Sequence, residues 1–112
     1  MAKYETRLAA PFDTVLQTIE HAIIKGSISA SLEDGSDCQI GGVRCAVRVF
    51  ERYSMIGSNR VSLNVTLLGG DGQVFLSAIT AGGSQAVFFK INTWGEEAFL
   101  DCLVHAVRQF EG

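Results

Sequence analysis

The chain is poor in the residues that break, staple or charge a fold. It has a single proline, Pro11, near the start rather than between two blocks of sequence. No linker, low-complexity tract or repeat at solenoid spacing divides it. One domain over residues 1–112 is therefore expected, at a length common for a single domain. Three cysteines, Cys38, Cys45 and Cys102, form an odd set without a short repeated spacing. That argues against a disulfide framework and leaves reduced, partly buried thiols as the plain reading. No apolar run approaches the roughly 18–20 residues that cross a bilayer, so no membrane partner is expected. Met1-Ala2-Lys3-Tyr4-Glu5 offers neither an apolar h-region nor a cleavage site, and a cytoplasmic location is the expectation. Nine Lys and Arg against twelve Asp and Glu leave a formal charge of −3. Such a balance gives no general attraction for nucleic acid.

What the chain does have is apolar surface to bury. Hydrophobic residues make up 47% of it and charged residues 19%, which excludes disorder. At this length about two-thirds of the unfolded surface can be buried, enough for a core without metals.

The hydrophobic period changes along the chain. Tyr4, Thr6 and Leu8 alternate with Lys3, Glu5 and Arg7, which predicts a short strand with one solvated face. Pro11 and Asp13 open a helix whose buried stripe is Phe12, Val15, Leu16, Ile19, Ala22 and Ile23, with Gly26 at its end. From Ser27 the period becomes two. Ile28, Ala30 and Leu32 predict a strand, with Asp34-Gly35 as its turn. A short segment then runs from Cys38 to Ile40, followed by Gly41-Gly42. Val43, Cys45, Val47 and Val49 predict the next strand, and Val61, Leu63, Val65 and Leu67 another. Two further strands are expected over 73–81 and 86–92, after short glycine-rich connections that imply an antiparallel meander. Thr93-Trp94-Gly95-Glu96 fits a capping box, so a last helix is expected from Thr93 with the stripe Phe99, Cys102, Leu103, Ala106, Val107 and Phe110. The predicted class is α+β: an antiparallel sheet of about five to seven strands, with an N-terminal and a long C-terminal helix on one face, in the order β-α-β5 or β6-α.

Residues that could carry chemistry are few. His21 lies opposite the first helix's apolar stripe and should face water. Cys102 and His105 stand three apart on the last helix, a spacing seen in metal half-sites. Zinc would need two more ligands, and six residues lie between Cys38 and Cys45. Cys102 reads better as a small core residue, and His105 as a partner for Asp101 near the helix C-terminus. The glycine clusters lead into strands and do not fit a phosphate loop. Arg44, Arg48 and Arg52, with Phe50 among them, share one side of a strand. A solvated sheet face that discourages aggregation is the better reading than a nucleic-acid surface. No catalytic constellation, metal site or cofactor site emerges, so an enzyme is not expected.

The informative excess is apolar and two-sided. Phe75, Ile79 and Ala81 face one way and Val74, Leu76 and Ala78 the other, while Phe88 and Phe89 fall on opposite faces of the next segment. A one-sided sheet alternates more cleanly, so something should cover the second face. The stretch Gly82-Gly83-Ser84-Gln85-Ala86-Val87-Phe88-Phe89-Lys90-Ile91-Asn92-Thr93-Trp94-Gly95-Glu96-Glu97, with the overall length, resembles a family of short bacterial proteins known only as a domain of unknown function. The resemblance extends over nearly the whole chain and implies no activity. The element order is separately similar to a reduced helix-grip fold, that of START and Bet v 1-like proteins, in which a C-terminal helix closes a sheet over an apolar cavity. This chain is shorter and has one helix, not two, after the first strand, which shrinks such a cavity. The leading expectation is a non-enzymatic module holding a small apolar ligand between sheet and C-terminal helix, lined by Phe75, Phe89, Trp94, Phe99 and Leu103. The alternative is a homodimeric interaction module without a ligand, with Phe88 in the interface.

Overall fold

A computed structural model describes residues 1–26, 29–54, 59–82 and 89–111, and side chains at these except 54, 59 and 89–96. The order is β1 (Lys3–Leu8), α1 (Phe12–Gly26), β2 (Ser31–Ile40), β3 (Val43–Ser54), β4 (Asn59–Gly70), β5 (Gln73–Gly82) and α2 (Phe89–Val107), then a 3-10 turn at Arg108–Phe110. The strands form one sheet in the order β1-β5-β4-β3-β2. Every pairing is antiparallel. Asp71 (φ 52°) and Gly72 (φ 75°) make the two-residue β4–β5 turn, where positive φ at both positions follows the strands' own twist.

Both helices cover the same face. Val15, Leu16, Ile19 and Ile23 of α1 and Phe99, Leu103 and Val107 of α2 are buried there. They meet Val61, Leu63, Val65 and Leu67 of β4 and Val74, Leu76 and Ala78 of β5 in one continuous core. The β1 strand is fixed through Thr80, which is fully buried: its N–H donates to the Ala2 carbonyl (2.8 Å), and its hydroxyl accepts from the Ala2 N–H (3.0 Å). At the far end the Ala9 N–H donates to Phe110 O (3.2 Å), and the Tyr4 hydroxyl donates to the Glu111 carboxylate. This last bond is the main reason the Tyr4 phenol titrates above its ordinary range.

Three expectations need correction. The strand predicted over 86–92 does not form at its described end, because 89–92 are the first turn of α2. A short apolar run without glycine or proline fits either period, and here the helix wins. Thr93 therefore lies inside α2 rather than at its cap. Asp34-Gly35 is not a hairpin turn either. The β2 strand runs straight through it, with a bulge between Leu32 and Asp34 that absorbs one extra residue. Gly35 stands in the strand because Arg48 occupies the space a side chain would need: a Cβ there would lie 3.0 Å from Arg48 Cδ and 3.3 Å from the Val47 carbonyl. The α+β class and a sheet of five to seven strands are as expected, five strands being described, four of them between the helices where five or six were expected.

Candidate interaction surface

Which strand positions face the helices decides the character of everything else. In antiparallel pairing, residues directly opposite share a face. The even-numbered positions of β3 pair with the buried odd positions of β4: Phe50 with Leu63, Arg48 with Val65, Arg44 with Gly69. The three arginines therefore lie on the helix side of the sheet, not on its solvated side as the sequence pattern suggested. Beyond the helix layer's edge they reach back to it. Arg44 makes a bidentate pair with Asp13 (3.0 and 3.2 Å) and stacks over the Phe12 ring at 4.3 Å. That hydrogen bond, with the adjacent charge, holds the Asp13 carboxyl below its ordinary pKa. Arg48 bridges Glu20 of α1 (3.0 Å) and Asp37 of β2 (3.1 Å) while donating to the Val47 carbonyl (2.9 Å). Arg52 lies over Phe99 of α2 at 4.8 Å, and burial pulls its guanidinium below the usual arginine range. These contacts clamp the β3 flank to both helices and occupy the groups that a nucleic-acid surface would need.

The opposite face carries no helix among the described residues. Three cross-sheet rows can be followed from one edge to the other. The first is Arg7, Phe75, Leu68, Cys45 and Cys38. The second is Glu5, Ser77, Thr66, Val47 and Ser36, and the third Lys3, Ile79, Asn64, Val49 and Asp34. Val43 and Ile40 extend the apolar end beyond the first row. Exposure is high for aliphatic side chains: 45% for Leu68 and Val43, 37% for Ile79 and 77% for Ile40. A shallow cavity of about 310 Å³ opens on this face, lined by Arg7, Val43, Leu68 and Phe75 with the β4–β5 turn. Charges stand at the margins. Lys3, Glu5 and Arg7 are on edge strand β1, Asp34 on edge strand β2, and the Arg60–Glu51 ion pair (3.1 Å) at one end.

The expected pocket residues are not all brought together. Phe99 and Leu103 are fully buried in the core between α2 and the sheet. Phe75 stands on the other face, beside Leu68, because its neighbours Val74 and Leu76 take the core-facing positions. It cannot line a space beneath α2. Phe89 and Trp94 are both in α2, their side chains outside the described set, and Phe88 lies outside the described residues. His21 is exposed, as its place opposite the apolar stripe suggested, and His105 is exposed on α2. Cys102 is half-buried against Gly26, its sulfur 3.8 Å from the Gly26 carbonyl. Cys38 is exposed rather than partly buried. Among the described residues no group of three or more potential ligands is placed to hold a metal, and no helix is long and apolar enough to cross a membrane. Reasoning from sequence missed Leu68, Val43 and Ile40 as surface residues. The adjacent pair Leu67-Leu68 held the signal, since neighbours in a strand face opposite ways.

Comparison with known proteins adds a family and a distant likeness. A crystal structure of TTHA0849 from Thermus thermophilus superposes with a TM-score of 0.42 at 10% identity, covering 99% of both chains. No curated protein matches the chain. The model of a family of unknown function, DUF6054, matches residues 1–111, and the chain belongs to that family.

Proposed function

We infer that the protein is a non-enzymatic interaction module that works as a homodimer, two copies packing through the open faces of their sheets. One observation carries the reading: α1 and α2 cover one face of the five-stranded sheet, and the other, among the described residues, still presents Phe75, Leu68, Val43, Ile40 and Ile79. Five strands at about 4.8 Å spacing and roughly 30 Å of strand length give a face on the order of 700 Å². That is close to the roughly 800 Å² per partner of a standard stable interface. Two like sheets pack face to face at about 10 Å with their strands near −30°, as in a β-sandwich. A location in the reducing cytoplasm suits the three free thiols.

Native mass spectrometry of the purified protein tests the assembly and any bound mass together. A dimer at the bare polypeptide mass is expected, and Ile79→Asp, which replaces one of the exposed apolar side chains of the face by a charge, should yield a monomer with unchanged circular dichroism. A wild-type monomer would end the reading. A lipid-like mass lost on denaturation would favour instead an apolar ligand held between the sheet and α2.

A further inference from the structure

Two of the three cysteines face each other across the β2–β3 hairpin. Cys38 pairs directly with Cys45, two positions from the Ile40–Val43 pair that closes the two-residue turn at Gly41-Gly42. Gly41 has φ +59°, the positive value that a tight hairpin of this length asks of its first central residue. The closing pair of such a hairpin exchanges two hydrogen bonds, and the pattern alternates, so Cys38 and Cys45 also form a hydrogen-bonded pair with Cα atoms about 5.5 Å apart. Their side chains leave the sheet on the same face. A disulfide needs Cα atoms about 4.4–6.8 Å apart, which this pair meets, and Cβ atoms about 3.5–4.5 Å apart, which a hydrogen-bonded pair reaches only by a local twist of the hairpin, so the bridge is strained and easily reduced.

The pair is also asymmetric. Cys38 is exposed on an edge strand, and every residue of that strand is exposed. Cys45 is half-buried one strand further in, beside Leu68. Cys102 lies on α2 against Gly26, on the helix side of the sheet, and cannot compete for either thiol.

We propose that Cys38 and Cys45 form a thiol–disulfide exchange site for low-molecular-weight disulfides, with Cys38 attacking and Cys45 resolving. The Cys38 thiolate attacks one sulfur of the small disulfide. A sulfur–sulfur bond forms to Cys38, the original one breaks, and one small thiolate leaves. The Cys45 thiolate then attacks the Cys38 sulfur, closing the Cys38–Cys45 bond and expelling the second small thiolate. The two thiol protons pass to the two leaving thiolates. The protein dithiol gives up two electrons and the small disulfide is reduced to two thiols, with no other reactant needed. An exposed bridge of this kind is the labile, reversible type rather than a structural one. The site does not rest on pairing between sheets, because Cys38 lies on the edge strand at the rim of the open face.

The test treats the full chain with oxidised glutathione, alkylates the remaining thiols and maps the peptides by mass. Wild type and Cys102→Ser should carry a Cys38–Cys45 bridge and keep no glutathione. Cys45→Ser should retain one glutathione on Cys38, and Cys38→Ser should lose the exchange. Reduced glutathione in excess should reopen the bridge. Running Ile79→Asp in parallel separates this from the dimer: a bridge in that variant alone still supports the site and shows that a partner covers it. A stable glutathione adduct on wild-type Cys38 without a bridge, a bridge to Cys102, or no bridge in either form would overturn the proposal.

Discussion

At the scale of single residues, the tightest constraint is Gly69. It is buried in β4, and a Cβ built there would come within 2.5 Å of Phe12 Cδ2 and 3.4 Å of Phe12 Cγ. The edge of the Phe12 ring thus points at the glycine, while the Arg44 guanidinium stacks over the ring's face at 4.3 Å. Neither partner can give way cheaply: moving the ring breaks the stack, and moving Arg44 breaks the pair with Asp13. Gly69→Ala should therefore destabilise the protein by about 1–3 kcal/mol, the usual range for overpacking. Because φ at Gly69 is not in the positive region, the backbone itself accepts alanine. In a Phe12→Ala background the clash is gone, and Gly69→Ala should become neutral or stabilising, since an interior glycine costs about 0.5–1 kcal/mol relative to alanine. Urea midpoints of the four proteins close the cycle. An equal loss in both backgrounds would show that Phe12 is not what Gly69 accommodates. The exposed Arg44–Asp13 pair contributes little by itself, because solvent screens such surface pairs. Its role is to hold the ring.

Among the elements, the two faces of β5 carry different consequences. Leu103 of α2 is fully buried and packs in the core with Leu76 and Ala78, whereas Phe75 is half-buried on the open face. Leu103→Ala should cost about 2–5 kcal/mol in thermal or denaturant unfolding, as large-to-small core changes do. Phe75→Ala should cost clearly less in dilute solution while weakening self-association. The reverse ranking would mean that the helix layer covers the other face. The two helices and β1, β3, β4 and β5 were legible in the sequence because each keeps one period over its length with a clear boundary: Pro11 and Gly26 around α1, Asp71-Gly72 between β4 and β5. Two regions were not. At Asp34-Gly35 a turn signature sits inside a continuous strand, since the glycine answers a long-range need, space for Arg48, that local sequence does not reveal. At 89–92 alternation over so few residues cannot separate strand from helix. The open face was legible only in outline. Two-sided apolar strands announced an uncovered face, but which positions faced outward depended on where the helices docked. The arginines show the same limit: their common side was evident, and its direction was not.

For the molecule as a whole, symmetry and charge together restrict how two open faces can meet. A two-fold axis lying between the sheets runs either along the strands or across them. Along the strands, β1 of one copy lies over β2 of its partner and each row stays level with itself. Lys3 and Asp34 end the same row, so Lys3 then meets the partner's Asp34, twice by symmetry. Across the strands, β1 lies over β1 with the rows reversed, and Lys3 approaches the partner's Arg7. The first arrangement joins opposite charges and the second joins like ones. Lys3→Glu should therefore weaken the dimer, on the order of tenfold in Kd if each of two pairs turns from attraction to repulsion at about 0.5–1 kcal/mol. Asp34→Lys should weaken it similarly, and the double variant should restore the wild-type value. Sedimentation equilibrium at low salt, where rim charges are least screened, reads the difference, and it should fade at high salt. A dimer strengthened by Lys3→Glu would select the axis across the strands. Indifference to both substitutions would place the contact elsewhere, leaving the apolar rows of β4 and β5 without the partner assigned to them.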